Sequence, residues 1–167
     1  GIVTVSVGHS HPKVNKAAID QINKIQHTTT IYLHNEIAEY AKELSEKLPE
    51  HLSNIYFVNS GSEANDLAVL MARLYTENFD VVALRNGYHG MSAGAMGLTA
   101  LNTWKFNTPQ GVGFHHTITP DLYRGPFAGQ EDQGTKYAND VKNLIETATS
   151  GNLAAYIAEP IQGVGGT

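Results

Sequence analysis

The sequence predicts an α/β fold in which helices flank a mostly parallel sheet. Two observations carry that expectation. Three apolar runs of strand length, Ile55-Tyr56-Phe57-Val58, Val81-Val82-Ala83-Leu84 and Leu153-Ala154-Ala155-Tyr156-Ile157-Ala158, are unbroken rather than alternating, the pattern of strands covered on both faces. Segments with helical spacing precede and separate them, and strands that alternate with helices become parallel neighbours.

The chain opens on a β-branched, strand-like run at residues 2–7. Pro12, a favoured first-turn residue, starts a helix predicted over 12–26, with Val14, Ala17, Ala18, Gln21, Ile22 and Ile25 on one face. A Thr-rich stretch at 27–34 interrupts the period. A second helix then places Ile37, Tyr40, Ala41, Leu44 and Leu48 on one stripe, and Pro49 ends it. The run at 55–58 leads through Asn59-Ser60-Gly61 into a third stripe, Ala64, Leu67, Ala68, Met71, Leu74 and Tyr75, so strand, turn and helix form one unit. After the strand at 81–84, a stretch rich in Gly, Pro and Thr runs irregularly from about residue 102 to 134. Loops of that length usually serve function or pack against another chain. A last helix turns Tyr137, Ala138, Val141, Leu144, Ile145 and Ala148 inward before the third strand. Neither the apolar opening nor the close, Gly163-Val164-Gly165-Gly166-Thr167, reads as a natural terminus.

Composition narrows the function classes. The 167 residues suffice for one domain with a buried core. With 11 Lys and Arg against 16 Asp and Glu, the net charge is −5, which argues against nucleic acid or an anionic membrane as the main partner and leaves a small molecule. Charged residues make up 16% of the chain, against about 25% in an average soluble domain, so further protein is expected to cover much of this surface. The absence of cysteine removes disulfides, thiolate zinc sites and Cys nucleophiles. No apolar run approaches the roughly 18 residues of a membrane span, and the first residues lack the layout of a signal peptide.

Three patterns could carry chemistry, each just after a predicted strand, where open α/β sheets bind ligands. Asn59-Ser60-Gly61-Ser62-Glu63-Ala64-Asn65 begins a helix, and Ser60 and Glu63 have capping-box spacing. The N–H groups of Gly61, Ser62 and Glu63 then point off the positive end of the helix dipole, a geometry suited to a phosphate monoester. Gly61 lets the anion approach the main chain, and the Ser62 hydroxyl adds a hydrogen bond; the alternative is a well-capped helix with no ligand. In Asn86-Gly87-Tyr88-His89-Gly90, Tyr88 can offer its ring face to a flat heteroaromatic, and His89 can donate to a ligand or titrate near neutral pH. The alternative there is a turn with Tyr88 covering the core. Ala158-Glu159-Pro160-Ile161-Gln162-Gly163 brings a carboxylate to the same edge, or else a Glu satisfied by backbone donors. One cofactor with a phosphate and an aromatic ring would explain all three. No Walker loop, dinucleotide fingerprint or Gly-x-Ser-x-Gly elbow occurs. His9-Ser10-His11 and His115-His116 lack a third ligand at suitable spacing, so no metal site is expected.

These motifs, in this order, resemble the class III aminotransferases, the pyridoxal-phosphate enzymes of the ornithine and 4-aminobutyrate type. Gly8-His9-Ser10-His11-Pro12 is similar to the family's early Gly-His-x-His-Pro element, and residues 59–65 to its phosphate-loop signature. Tyr88-His89-Gly90 is similar to its ring-stacking element, and Glu159-Pro160-Ile161-Gln162-Gly163 to the segment before its catalytic core. Within the family, residues 1–8, Leu70-Met71-Ala72-Arg73 and Tyr123-Arg124-Gly125-Pro126 look most like the mitochondrial alanine–glyoxylate type.

The resemblance implies a fold type I transferase. Residues 1–34 would be an N-terminal segment serving the dimer and the substrate entrance, and 35–167 the first part of the large pyridoxal-phosphate domain. Carried over, Ser60, Gly61 and Ser62 hold the cofactor phosphate, Tyr88 stacks on its ring, His89 lies beside the ring, and Glu159 joins the same site. Tyr32 and Leu33 belong to the substrate entrance, where the ornithine enzyme has Tyr at the position of Leu33. The implied reaction moves an amino group from alanine to glyoxylate, giving pyruvate and glycine, in a mitochondrial homodimer or higher oligomer. Val164 stands where the ornithine and 4-aminobutyrate enzymes have a Glu, which favours a short 2-amino acid donor. The family's catalytic Lys, and the Asp that pairs with its pyridinium nitrogen, are expected beyond Thr167, so the chain alone is expected to be inactive. Two other readings stay open: a class III phospho-lyase acting on a phosphorylated amine, and a non-catalytic dimerisation module.

Overall fold

The structure is a computed structural model that describes residues 2–166. The chain divides into two compact units, Gly1–Tyr56 and Phe57–Thr167. In the first, helix α1, Pro12–Lys24, begins on Pro12, whose missing N–H would have no intrahelical partner there. Helix α2, Asn35–Ser45, follows the extended His34 and stops ahead of Pro49. The Gln21 side-chain amide links the two regions: it donates to the Ile25 carbonyl at 3.0 Å and lies 3.3 Å from His34 Nε2. Both helices lie where their spacing predicts, yet neither buries a residue. The strand expected at 2–7 is replaced by turns, with Val3 at φ 55 and the Gly8 N–H donating to the Val5 carbonyl. β-branching favours a pleated, half-buried surface, and residues 2–7 are exposed instead.

The second unit is built on a three-stranded parallel sheet of order β2-β1-β3. The strands are β1, Val81–Leu84; β2, Phe114–Thr117; and β3, Ala155–Ile157. The unbroken apolar run of β1 takes the central place, with every residue buried, and Val81 faces Phe114 on one side and Ala155 on the other. Val81, Ala83, Leu98, Ala154 and Val69 form the core. Fully burying a Val or Leu side chain contributes about 1.5–3 kcal/mol.

Helix α3, Gly61–Thr76, packs on this core through Val69 and Ala72. The expected stripe is therefore on the wrong side: Met71, Leu74 and Tyr75 are exposed. The helix is apolar on more than one face, and the sheet selects the face that also carries Ser62, Asn65 and Thr76. The strand expected at 55–58 is likewise corrected. That run lies outside the sheet, with Tyr56, Phe57 and Val58 exposed. Conversely, the stretch read as irregular contains β2, which the flanking glycines and prolines concealed.

Helix α4, Gln133–Ala148, turns Tyr137 inward as expected, its hydroxyl donating to the Asp121 carbonyl at 2.6 Å. Asp140 fastens α4 to the end of β2, accepting from the Thr117 hydroxyl and from the Ile118 N–H at 3.0 Å. Among the described residues no helix is long and apolar enough to cross a membrane.

Those two donors hold the Asp140 carboxyl below the usual carboxylate range. The folded state thus favours the ionised form, so its stabilisation is complete above the unfolded value of about 3.9 and is lost as pH falls through the lower folded value. In thermal melts of the complete protein, Asp140→Asn should cost about 1–2 kcal/mol near pH 7, and its gap to wild type should close below roughly pH 4.

Candidate functional site

The site begins at the first turn of α3. Ser60 is the extended N-cap, and its hydroxyl accepts from the Glu63 N–H at 3.1 Å. The Glu63 carboxylate reaches one residue past the cap, accepting from the Asn59 N–H at 2.7 Å and the Asn59 side-chain amide at 3.0 Å. Because the cap consumes the Glu63 N–H, the anion donors expected there reduce to the N–H groups of Gly61 and Ser62, which find no acceptor among the described residues. Gly61 and Ser62 both line an open cleft, and a Cβ on Gly61 would meet nothing within 4 Å. The Ser62 oxygen accepts from the Met91 N–H at 3.2 Å, which leaves its own proton to donate.

The turn after β1 supplies the opposite wall. Asn86, at φ 62, takes the left-handed conformation that Asn tolerates, and its N–H donates to the Ala100 carbonyl at 3.1 Å. The Ala100 N–H answers at the Gly87 carbonyl, 2.9 Å away. Tyr88 packs against Trp104, ring centroids 5.3 Å apart and planes at 59°. The Tyr88 N–H donates to Glu159 Oε2 at 3.1 Å, so the acid at the end of β3 braces the turn after β1.

His89 is 6% exposed. Its Nε2 has no partner among the described residues. Burial pushes its pKa below the ordinary histidine value, and the charge of Glu159 pulls it partly back. The ring is therefore neutral at pH 7, with one nitrogen a donor and the other an acceptor.

Ser60, Gly61, Ser62, Tyr88 and His89 line one cleft of about 280 Å³, joined by Asn65 and Gly90. Tyr32 and Leu33 are not among them; both lie exposed in the first unit, between α1 and α2. Sequence reasoning missed Asn65, whose side chain donates to the His89 carbonyl at 2.7 Å, and the buried Thr99, which bonds the His89 backbone. Asn65 falls one helical turn beyond Ser62, a spacing that could have found it. Nothing in the spacing of Thr99 could. As successive strand residues, His115 and His116 point to opposite faces: His115 meets Asp80 at 2.8 Å, and His116 lies 3.2 Å from the Leu98 carbonyl.

The whole chain, residues 1–167, matches the family described as Aminotransferase class-III. The chain belongs to the class III aminotransferases. It is 49% identical over 166 residues to the mitochondrial alanine–glyoxylate aminotransferase 2 homolog 2 of Arabidopsis thaliana, covering 99% of this chain and 34% of that protein. It is 42% identical to the mitochondrial alanine–glyoxylate aminotransferase 2 of Homo sapiens, covering 99% and 36%. The chain thus spans about a third of the length of these relatives. Among solved structures, an (S)-enantioselective omega-transaminase from Thermomicrobium roseum superposes with TM-score 0.87 at 28% identity, over 95% of this chain and 38% of that one. A PLP-bound amine transaminase from an uncultivated Pseudomonas species gives 0.84 at 27%, over 96% and 39%. The α/β architecture with a parallel sheet is the one that the alternation of apolar runs and helices predicts, and the transaminase neighbours share the fold that the resemblance implies.

Gly90 sits at φ +112, where a Cβ would lie 2.3 Å from the Ser62 hydroxyl oxygen. Gly90→Ala should therefore destabilise the complete protein by about 1–3 kcal/mol, read from chemical denaturation.

Proposed function

We propose that the complete protein is a pyridoxal-phosphate aminotransferase that moves an amino group from alanine to glyoxylate, giving pyruvate and glycine. Family membership and the names of the alanine–glyoxylate relatives support this reading. The single observation that carries it is the meeting, in one cleft, of the free N–H groups of Gly61 and Ser62, the Ser62 hydroxyl and Tyr88.

The residues fit the cofactor by their own chemistry. Two main-chain donors at a helix N-terminus that lines an open cleft suit a phosphate, and the buried Nε2 of His89 awaits a polar partner beside the same cleft. When bound, pyridoxal phosphate supplies the aldehyde that carries nitrogen between amino and keto acids. The protein's share in this chain is binding and orientation: Gly61 and Ser62 hold the phosphate, Tyr88 covers the ring, and Glu159 steadies the Tyr88 backbone. Residues 1–34, with Tyr32 and Leu33, serve the substrate entrance and the dimer, and Val164 favours a short donor such as alanine. The exposed Leu70, Leu74 and Tyr75 of α3 support a homodimer or higher oligomer, and the relatives' names support a mitochondrial location.

Titrating pyridoxal phosphate into the complete apoprotein should show Ser62→Ala and Tyr88→Ala each weakening affinity by about tenfold, roughly 1.4 kcal/mol. The reaction is ping-pong, so the wild type should form at most one pyruvate per active site from alanine alone and turn over continuously only when glyoxylate is present. Phosphate release from phosphoethanolamine would point to the phospho-lyase instead, and unchanged cofactor affinity in both variants to the non-catalytic module.

A further inference from the structure

We propose that Thr99 is the positioning residue of the cleft, its single hydroxyl holding the Tyr88-His89-Gly90 turn at the distance from Ser62 that one phosphate-and-ring ligand requires. The proposal rests on the pyridoxal-phosphate reading. Thr99 is 0% exposed, and its Oγ1 accepts from the His89 N–H and donates to the Gly90 carbonyl, both at 2.9 Å. A hydroxyl can do both at once, which neither a methyl nor a lone acceptor can.

The place of these bonds gives them their effect. Backbone pairing with Ala100 secures only the start of the turn, at Asn86 and Gly87. From Tyr88 to Met91 the hydrogen bonds that hold the main chain among the described residues come from side chains: Glu159 at the Tyr88 N–H, Asn65 at the His89 carbonyl, Ser62 at the Met91 N–H and Thr99 at two successive residues between them. Glu159, Asn65 and Ser62 belong to elements that themselves line or border the cleft. Thr99 is referenced to the interior, since its N–H donates to the buried Ala95 and its neighbour Leu98 is a core residue. It therefore transmits the position of the core to the turn. Gly90 already lies against Ser62, so a turn released from Thr99 can move only away from the phosphate donors, taking Tyr88 with it.

The test is pyridoxal-phosphate affinity of the complete apoprotein, measured well below the melting temperature of every variant. Thr99→Val keeps the shape and removes the hydroxyl, leaving a buried N–H and carbonyl unsatisfied; affinity should fall about tenfold. Thr99→Ser should restore it to within about twofold of wild type. In a Tyr88→Ala background, Thr99→Val should add less than about twofold, because the hydroxyl acts through the ring it places. A residue that only stabilises the fold would lower the melting temperature and leave affinity unchanged in Thr99→Val, or lower affinity equally in both backgrounds; either result overturns the proposal. Should Thr99→Val not fold, Thr99→Cys packs similarly with a weaker donor, and affinity between the Ser and wild-type values on one side and about tenfold loss on the other is expected, equality with wild type overturning the proposal. Failure of the wild type itself to bind pyridoxal phosphate would instead remove the cofactor reading, and the proposal with it.

Discussion

Gly90 lies against Ser62 so closely that a Cβ on it would sit 2.3 Å from the Ser62 hydroxyl oxygen. That approach brings two unrelated chemical resources to the wall of one cleft. The first turn of α3 offers unpaired N–H groups and the positive end of a dipole, and the turn after β1 offers an aromatic face. Only glycine permits the contact, since Gly90 combines φ +112 with no room for a side chain. Each partner of the contact is anchored by the same core: α3 through Val69 and Ala72, and the turn through β1, Leu98 and Thr99. The spacing between anion donors and ring is thus a property of core packing rather than of a loop.

The electrostatics of the cleft follow from the same compaction. Burial disfavours the charged form of His89, so the cleft presents main-chain dipoles and a hydroxyl rather than a fixed cation. Glu159 accepts the Tyr88 N–H on Oε2 and so forms a strut between the ends of β3 and β1, while its charge still acts on His89.

Much of this is legible in the amino-acid sequence. The positions of α1, α2, α3 and α4, the central run of β1 and the run of β3 all follow from period and composition. The capping pattern at Ser60 and Glu63 located the nest. Four readings went astray for identifiable reasons. α3 carries apolar residues around much of its circumference, so periodicity could not say whether Val69 or Met71 would face the sheet. The runs at 2–7 and 55–58 have strand composition, but a strand exists only where another backbone takes up its ladder within a sheet. β2 was hidden because Phe114-His115-His116-Thr117 is neither alternating nor uniformly apolar and sits among glycines that signal turns.

Sequence by itself determined the class of fold, the family, and the five residues Ser60, Gly61, Ser62, Tyr88 and His89 that line the cleft, because capping, turn chemistry and buried-strand composition are local properties. Tertiary structure alone decided which donors stay free, how Glu159 is engaged, and that Asn65 and Thr99 hold the turn. Thr99 and His89 are ten residues apart with no periodic relation. Their hydrogen bond exists only because the chain folds back over β1 and buries both. Contacts of that kind are created by packing, and local pattern carries no record of them.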